Sequence, residues 1–285
     1  MSTPNEYITS YDPTWCPGCG NFGLWGALKK TLAEIDIPRE QIMAVYGIGC
    51  SGNGFNFTKI NAFHGLHGRA LPVAEGLKLA NHQLTVIALG GDGDGYGEGG
   101  NHFLHACRAN HDIAYFVHNN QTYGLTTGQT SPTSEKGIKS KSNPAGGIDE
   151  PINPVALAIT AGATFVARGF TGDINHLSEM MKAAILHKGF ALLDILQPCF
   201  TFNKHNTYQY FRQRIYKLEN HNPTDMQSAI NLAWQWEKED KIPLGIIYQR
   251  TDKPAFHENF PQLAKEPLQK QALNLDIMDE LKSFV

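Results

Sequence analysis

Short apolar runs that stop abruptly on glycine or a polar turn recur along this chain, and they constrain its fold more than any other feature. Thr85 to Leu89 breaks into Gly90-Gly91-Asp92-Gly93-Asp94-Gly95-Tyr96-Gly97-Glu98-Gly99-Gly100, and Met43 to Tyr46 runs into Gly47-Ile48-Gly49-Cys50-Ser51-Gly52-Asn53-Gly54. Ile113 to Val117 ends in His118-Asn119-Asn120-Gln121-Thr122-Tyr123-Gly124, and Phe190 to Leu196 ends in Gln197-Pro198-Cys199. Continuous rather than alternating apolar character marks strands covered on both faces. Helical patterns lie between them: Phe22 to Ile35 ended by Pro38, a stretch through Ala74, Leu77 and Leu79, Asn101 to Asn110, Val155 to Ala161, and Ile174 to His187 with Asp173 as N-cap. Ala163 to Ala167 is a further strand candidate. Strand, helix and strand at this interval predict an α/β fold built on a doubly wound, mostly parallel sheet. Ligands of such sheets sit at the carboxyl ends of the strands, so Cys50, Asp92 and Asn120 belong to one rim.

Beyond Phe200 the pattern weakens. Asn203 to Tyr216 is polar and aromatic, Asp225 to Lys238 reads as helix, Leu244 to Tyr248 as strand, and Leu263 to Val285 as mixed helical and polar. We expect one domain over residues 1–203 and a C-terminal extension over 204–285, packed on that domain or on a partner subunit; a peripheral helix and strand of the same domain is the plainer alternative. Residues 126–151 are loop by composition, with Lys136, Lys139 and Lys141 among Ser, Gly and Pro.

Composition excludes several function classes. With 24 basic and 27 acidic residues the net charge is −3, which gives no electrostatic case for nucleic acid or an anionic membrane. No apolar run is long enough to span a bilayer, and Met1 to Tyr7 lacks the basic and apolar regions of a secretory signal, so the cytoplasm is the expected compartment. Five cysteines in that compartment argue against structural disulfides and point to metal or redox chemistry.

The glycine turn after Leu89 carries the clearest chemistry. Glycines let backbone amides approach a phosphate, and a carboxylate among them can hold a divalent cation that neutralises diphosphate charge. The amide oxygen of Asn120 arrives at a neighbouring strand end, and carboxylate, amide, backbone carbonyl and diphosphate oxygens make a near-octahedral shell suited to Mg²⁺. Gly91-Asp92-Gly93 followed by Asn119-Asn120 resembles the diphosphate-binding signature of thiamine diphosphate enzymes, and implies that fold.

Trp15-Cys16-Pro17-Gly18-Cys19-Gly20 has three readings by itself: a redox pair, half of a zinc site, or two ligands of an iron–sulfur cluster. The first is weakest, because the pair precedes the first strand. Cys107 falls inside a helix and reads as a small buried hydrophobe, and His102 with His105 lacks a third ligand. His64 reads as a helix cap or core residue; His67, in the turn His64-Gly65-Leu66-His67-Gly68-Arg69-Ala70, is balanced between packing and the site.

Taken with the thiamine diphosphate signature, Cys16, Cys19, Cys50 and Cys199 make the chain resemble the β subunits of the 2-oxoacid:ferredoxin oxidoreductases, the pyruvate and 2-oxoglutarate synthases, over about residues 12–204. The resemblance implies one [4Fe-4S] cluster on those four cysteines, and Mg²⁺ on Asp92, Asn120 and the Thr122 carbonyl. It implies that Ile48, Gly49, Cys50, Ser51, His67, Gly93, Asp94, Gly124 and Leu125 line thiamine diphosphate, with Leu125 under its rings. It further implies an α subunit, in an αβ or (αβ)2 assembly, that supplies the cofactor-activating glutamate, so that no catalytic residue is certain in this chain. The implied reaction is CoA-dependent oxidative decarboxylation of a 2-oxoacid, run forward or in reverse, with single electrons passing to ferredoxin; 2-oxoglutarate is slightly favoured over pyruvate. Two rivals are a non-oxidative thiamine diphosphate decarboxylase or synthase subunit with structural zinc, and a non-catalytic electron-transfer subunit.

Overall fold

The computed structural model of the chain describes residues 2–264, 266–272 and 277–284. Along the chain run α1 (Asn21–Glu34), β1 (Ile42–Tyr46), α2 (Gly54–Phe57), β2 (Asn61–His64), α3 (Ala70–Ala80), β3 (Thr85–Gly91), α4 (Gly100–Ala109) and β4 (Ile113–Asn119). They continue with α5 (Pro154–Thr160), β5 (Phe165–Phe170), α6 (Ile174–Leu186), β6 (Phe190–Leu196), α7 (Tyr208–Arg212), β7 (Ile215–Lys217), α8 (Met226–Ala233), α9 (Gln235–Glu239), β8 (Ile242–Gln249) and α10 (Met278–Lys282). The strands form one sheet in the order β2-β1-β3-β4-β6-β5-β8-β7. Neighbours from β2 through to β5 are parallel, and β8 is antiparallel to β5.

The continuous apolar runs do what a doubly covered sheet requires. Val45, Val86, Ala88, Tyr115, Val117 and Leu192 face α3, α4, α5 and α8, while Ala44, Ile87, Leu89, Phe116, Leu193 and Ile195 face α1 and α6. Each large side chain so buried contributes about 1.5–3 kcal/mol of transfer free energy. The chain leaves β1 toward β2 and leaves β3 toward β4, so adjacent strands send their connections in opposite directions. A crevice opens at such a switch point, at the carboxyl ends of the strands.

Several boundaries differ from expectation. The strand expected at Ala163 to Ala167 lies at Phe165–Phe170, and the helix expected over Asp225 to Lys238 breaks at Trp234 into α8 and α9. β2 carries no sequence signal, because it is a short edge strand with three of its four residues exposed. The mixed tail expected over Leu263 to Val285 lies partly outside the described residues. The boundary at residue 203 falls in the loop after β6, and β7 and β8 beyond it add to the same sheet. Among the described residues no helix is long and apolar enough to cross a membrane.

Candidate active site

The crevice between β1 and β3 is lined by two turns. After β3, Asp92 leads into a wide helical turn over Gly93–Glu98, which buries both carboxylates, Asp92 and Asp94. Asp94 Oδ1 accepts the backbone N–H groups of Ile48 (2.9 Å) and Gly68 (2.8 Å), and His67 Nδ1 lies 3.1 Å from it. One carboxylate oxygen thus fastens the β1 turn, the His67 turn and the β3 turn together. This requires glycine at position 47, where a Cβ would lie 1.9 Å from Asp94 Oδ2. Asp94 Oδ2 itself has no hydrogen-bond partner, and burial holds this carboxyl above the usual range.

Asp92 is held from the other side. Ser131 Oγ donates to Asp92 Oδ2 at 2.5 Å, Thr133 Oγ1 donates to the same oxygen at 2.7 Å, and Oδ1 accepts the Asn120 N–H at 3.4 Å. Burial pushes the Asp92 carboxyl up to about 6 against these bonds. A buried carboxylate with no cation beside it is in an unfavourable state that a bound divalent ion reverses. Asn120 donates through Nδ2 to Gln197 Oε1 at 3.2 Å and accepts the Thr122 N–H at 3.1 Å.

The residues singled out for the diphosphate cofactor converge. Ile48, Gly49, Cys50, Ser51, His67, Asp92, Gly93, Asp94, Asn120, Thr122, Gly124 and Leu125 all line one cavity of about 80 Å³. Sequence reasoning missed His118, Tyr123 and Thr126, which line it too, and Ser131 and Thr133, which hold Asp92. Only the hydroxyl-rich run Thr130-Ser131-Pro132-Thr133-Ser134 could have signalled the last two. Ser51 Oγ and His118 Nε2 are buried there without partners, as expected of polar groups that await a ligand. Burial drives the His118 imidazole down to about 3, so it stays neutral, with Nδ1 bonded to Asn21 Oδ1 at 2.8 Å.

One histidine expectation changes. His64 neither caps a helix nor packs in the core: it is exposed at the end of β2, 3.1 Å from the Gly47 carbonyl and stacked on Phe55. His67 lines the cavity, with Nδ1 beside Asp94 Oδ1. Cys107 is fully buried in α4, and His102 and His105 sit on the outer part of that helix with His105 beside Arg108.

Beside the first cavity is a second of about 150 Å³, lined by Cys16, Cys19, Cys50 and Cys199, all free thiols. The Cys16–Cys19 turn closes through Cys19 N–H to the Cys16 carbonyl, and Gly20 N–H ties it to the Pro198 carbonyl at the end of β6. Trp15, packed edge-on against Phe22, Trp25 and Phe57, donates its indole N–H to the Cys50 carbonyl at 2.7 Å. Gln197 Nε2 lies 3.5 Å from Cys19 Sγ. Burial, and then the neighbouring thiols, push Cys19 up to about 12 and Cys50 up to about 11. Thiols ligate metal as thiolates, so metal binding to such a group would be coupled to loss of their protons. They border a cavity rather than converge: among the described residues no three His, Cys, Asp or Glu side chains meet as a single-ion site. A Cβ at Gly124 would lie 3.5 Å from Cys50 Sγ and 3.7 Å from Cys199 Sγ, inside that cradle. Cys50, Asn120, Gly124 and Leu125 line both cavities, so a single wall divides them.

Comparison with known proteins agrees with this geometry. Residues 41–195 match the family model of the thiamine pyrophosphate enzyme C-terminal TPP binding domain, and residues 199–265 match the C-terminal family model of the pyruvate ferredoxin oxidoreductase beta subunit. The chain is 43% identical to a 2-oxoacid:ferredoxin oxidoreductase subunit beta of Sulfolobus sp., over 94% of each chain. It is 47% identical to the corresponding subunit of Saccharolobus solfataricus, over 82% of this chain and 81% of that one. It is 37% identical to the 2-oxoglutarate synthase subunit KorB of Archaeoglobus fulgidus, over 78% of this chain and 86% of that one. A solved structure of 2-oxoglutarate:ferredoxin oxidoreductase from Magnetococcus marinus, with 2-oxoglutarate, coenzyme A and succinyl-CoA bound, superposes with a TM-score of 0.91 at 35% identity, covering 100% of this chain and 96% of that one. A cleft made for a diphosphate, beside a four-thiol cavity and carried on sequence shared along nearly the whole length of these relatives, establishes that the chain belongs to the β subunits of the 2-oxoacid:ferredoxin oxidoreductases.

Proposed function

We propose that this chain is the thiamine diphosphate- and [4Fe-4S]-carrying half of an enzyme that, with its α subunit and in the cytoplasm, decarboxylates a 2-oxoacid, 2-oxoglutarate ahead of pyruvate, onto coenzyme A and reduces ferredoxin. The observation that carries this reading is the shared wall of Cys50, Asn120, Gly124 and Leu125, which sets the two cavities side by side. Thiamine diphosphate supplies the electron sink for decarboxylation, and a [4Fe-4S] cluster accepts electrons one at a time. The chain's own residues bind and orient. Asp92, Asn120 and the Thr122 carbonyl are the ligands for Mg²⁺, with Ser131 and Thr133 fixing the Asp92 carboxylate. Asp94 gathers the Ile48 and Gly68 amides and His67 around the diphosphate pocket, and Leu125 forms its apolar wall. Cys16, Cys19, Cys50 and Cys199 hold the cluster; thiols that border a cavity suit a polynuclear centre better than one tetrahedral zinc ion, whose ligands must meet at a point. The relatives named 2-oxoglutarate synthase and the neighbour's bound 2-oxoglutarate support the substrate.

The test is anaerobic co-purification with the α subunit, followed by iron and zinc analysis and an assay of CoA-dependent viologen reduction. A brown complex that turns over 2-oxoglutarate supports the reading. A colourless zinc protein, inert with both 2-oxoglutarate and pyruvate, overturns it.

A further inference from the structure

A third cavity, of about 240 Å³, lies on the far side of Asn119 and Thr133 from the diphosphate cleft. A water molecule takes about 30 Å³ in the liquid, so this space admits a small organic molecule. Its floor holds two buried side chains with unsatisfied atoms of opposite kind. Arg168, 2% exposed, spends Nε on Asp194 Oδ2 at 3.2 Å and leaves Nη1 without a partner. Gln121, 5% exposed and held at a φ of 55°, donates through Nε2 to the Thr133 carbonyl at 2.9 Å and leaves Oε1 without a partner. Stranding a buried donor and a buried acceptor costs about 1–3 kcal/mol each. Positive φ at a residue other than glycine adds strain, which persists where surrounding structure enforces it.

The rest of the lining selects among ligands. Trp236 and Tyr210 form one wall and Ile152 an apolar patch; of the carboxylates, Glu135 accepts the Tyr210 hydroxyl at 2.8 Å, Asp240 is paired with Arg214 at 2.6 Å, and Glu237 accepts Asn153 Nδ2 through Oε1 at 2.9 Å. Asp194 is already committed, through Oδ1 to the Tyr96 hydroxyl (3.1 Å) and Asn119 Nδ2 (3.0 Å), and through Oδ2 to Arg168. Because Asp194 offsets the charge of Arg168, selection rests on the two unpartnered atoms: a simple anion on Arg168 Nη1 leaves Gln121 Oε1 without a donor, and a simple cation on Gln121 leaves Arg168 Nη1 without an acceptor. A molecule carrying both charges satisfies both ends. We propose that this cavity is a binding site for a small zwitterionic amino acid, its carboxylate on Arg168 Nη1 and its ammonium group between Gln121 Oε1 and Glu237. The site is separate from the diphosphate cleft and does not rest on the reading of the thiol cavity.

Calorimetric titration of the complex with its α subunit tests this, using L-glutamate and L-alanine as probes, glutarate and propionate as their amine-free counterparts, and alaninamide as the counterpart without a carboxylate. One of the amino acids is expected to bind, and loss of its amine or its carboxylate to weaken binding by about tenfold or more. Glu237→Gln, at the exposed rim, is expected to weaken the amino acid about tenfold and to leave glutarate unchanged. Because removing Arg168 would strand Asp194 in the core, Trp236→Leu serves as the second variant, and should also weaken binding. The proposal is overturned if no probe binds at about 10 mM, if glutarate or propionate binds as well as its amino acid, if both variants leave affinity unchanged, or if coenzyme A or 2-oxoglutarate displaces the amino acid.

Discussion

Ser131 and Asp92 meet through a hydrogen bond of 2.5 Å across a separation of 39 residues, and this bond makes the loop after β4 a structural part of the turn after β3. A hydroxyl donating to a carboxylate contributes about 1.5–3 kcal/mol. Ser131→Ala is therefore expected to weaken Mg²⁺-dependent thiamine diphosphate binding by about 10-fold or more, and Ser131→Ala with Thr133→Val by more still. Titration of Mg²⁺ against the cofactor's circular dichroism checks this. Unchanged Mg²⁺ affinity in the double variant would detach Asp92 from the metal.

Gly47 is the second lever on the same cleft. A methyl group at this position meets Asp94 Oδ2 at 1.9 Å, so Gly47→Ala must displace the carboxylate that fastens three turns. Overpacking of this kind costs about 1–3 kcal/mol. A fall in the unfolding midpoint, together with loss of cofactor binding, is the expected result, read by thermal denaturation and by the same titration.

The proposed cluster assignment predicts that the cysteines separate by role. Cys50→Ser or Cys199→Ser should lower bound iron and bleach the visible absorbance. Cys107→Ser should leave iron unchanged and instead cost about 1–3 kcal/mol of stability, because it places a hydroxyl in a fully buried apolar site. Iron analysis beside urea denaturation of the three variants distinguishes the two effects.

His111 sets an acid limit away from the cleft. It is buried against Phe256, at a ring separation of 4.2 Å, and burial first, then His257, drives its imidazole down to about 4. A histidine whose folded value lies below its unfolded value binds its proton in the unfolded chain first. Its stability contribution is complete above about pH 6.5 and is lost as pH falls toward 4. Solvent screening at this partly accessible ring reduces the effect to about 1–2 kcal/mol. The difference between the denaturant midpoints at pH 7 and pH 5 should therefore be smaller in His111→Gln than in the parent, with the remainder set by the other buried histidines such as His118.

The sequence by itself determined the elements that depend on local pattern. Continuous apolar runs such as Thr85 to Leu89 and Phe190 to Leu196 had to be strands covered on both faces, and the glycines and cysteines at their ends had to share a rim, because a parallel sheet places equivalent ends together. The twelve cleft residues and the four thiols follow from that rule and from a family resemblance. Only the tertiary structure decided what depends on pairing between distant polar groups. Ser131 and Thr133 reach Asp92 from a loop without periodicity, β2 forms at an exposed edge, and β8 joins β5 antiparallel beyond a stretch of weak pattern. Arg168 is written inside an apolar strand, and its burial against Asp194 with one unpartnered nitrogen emerges only when β5 and β6 lie side by side. Burial repeats with the period of the backbone and so leaves a trace in the order of residues, whereas a hydrogen bond between positions far apart in the chain leaves none until the fold brings them together.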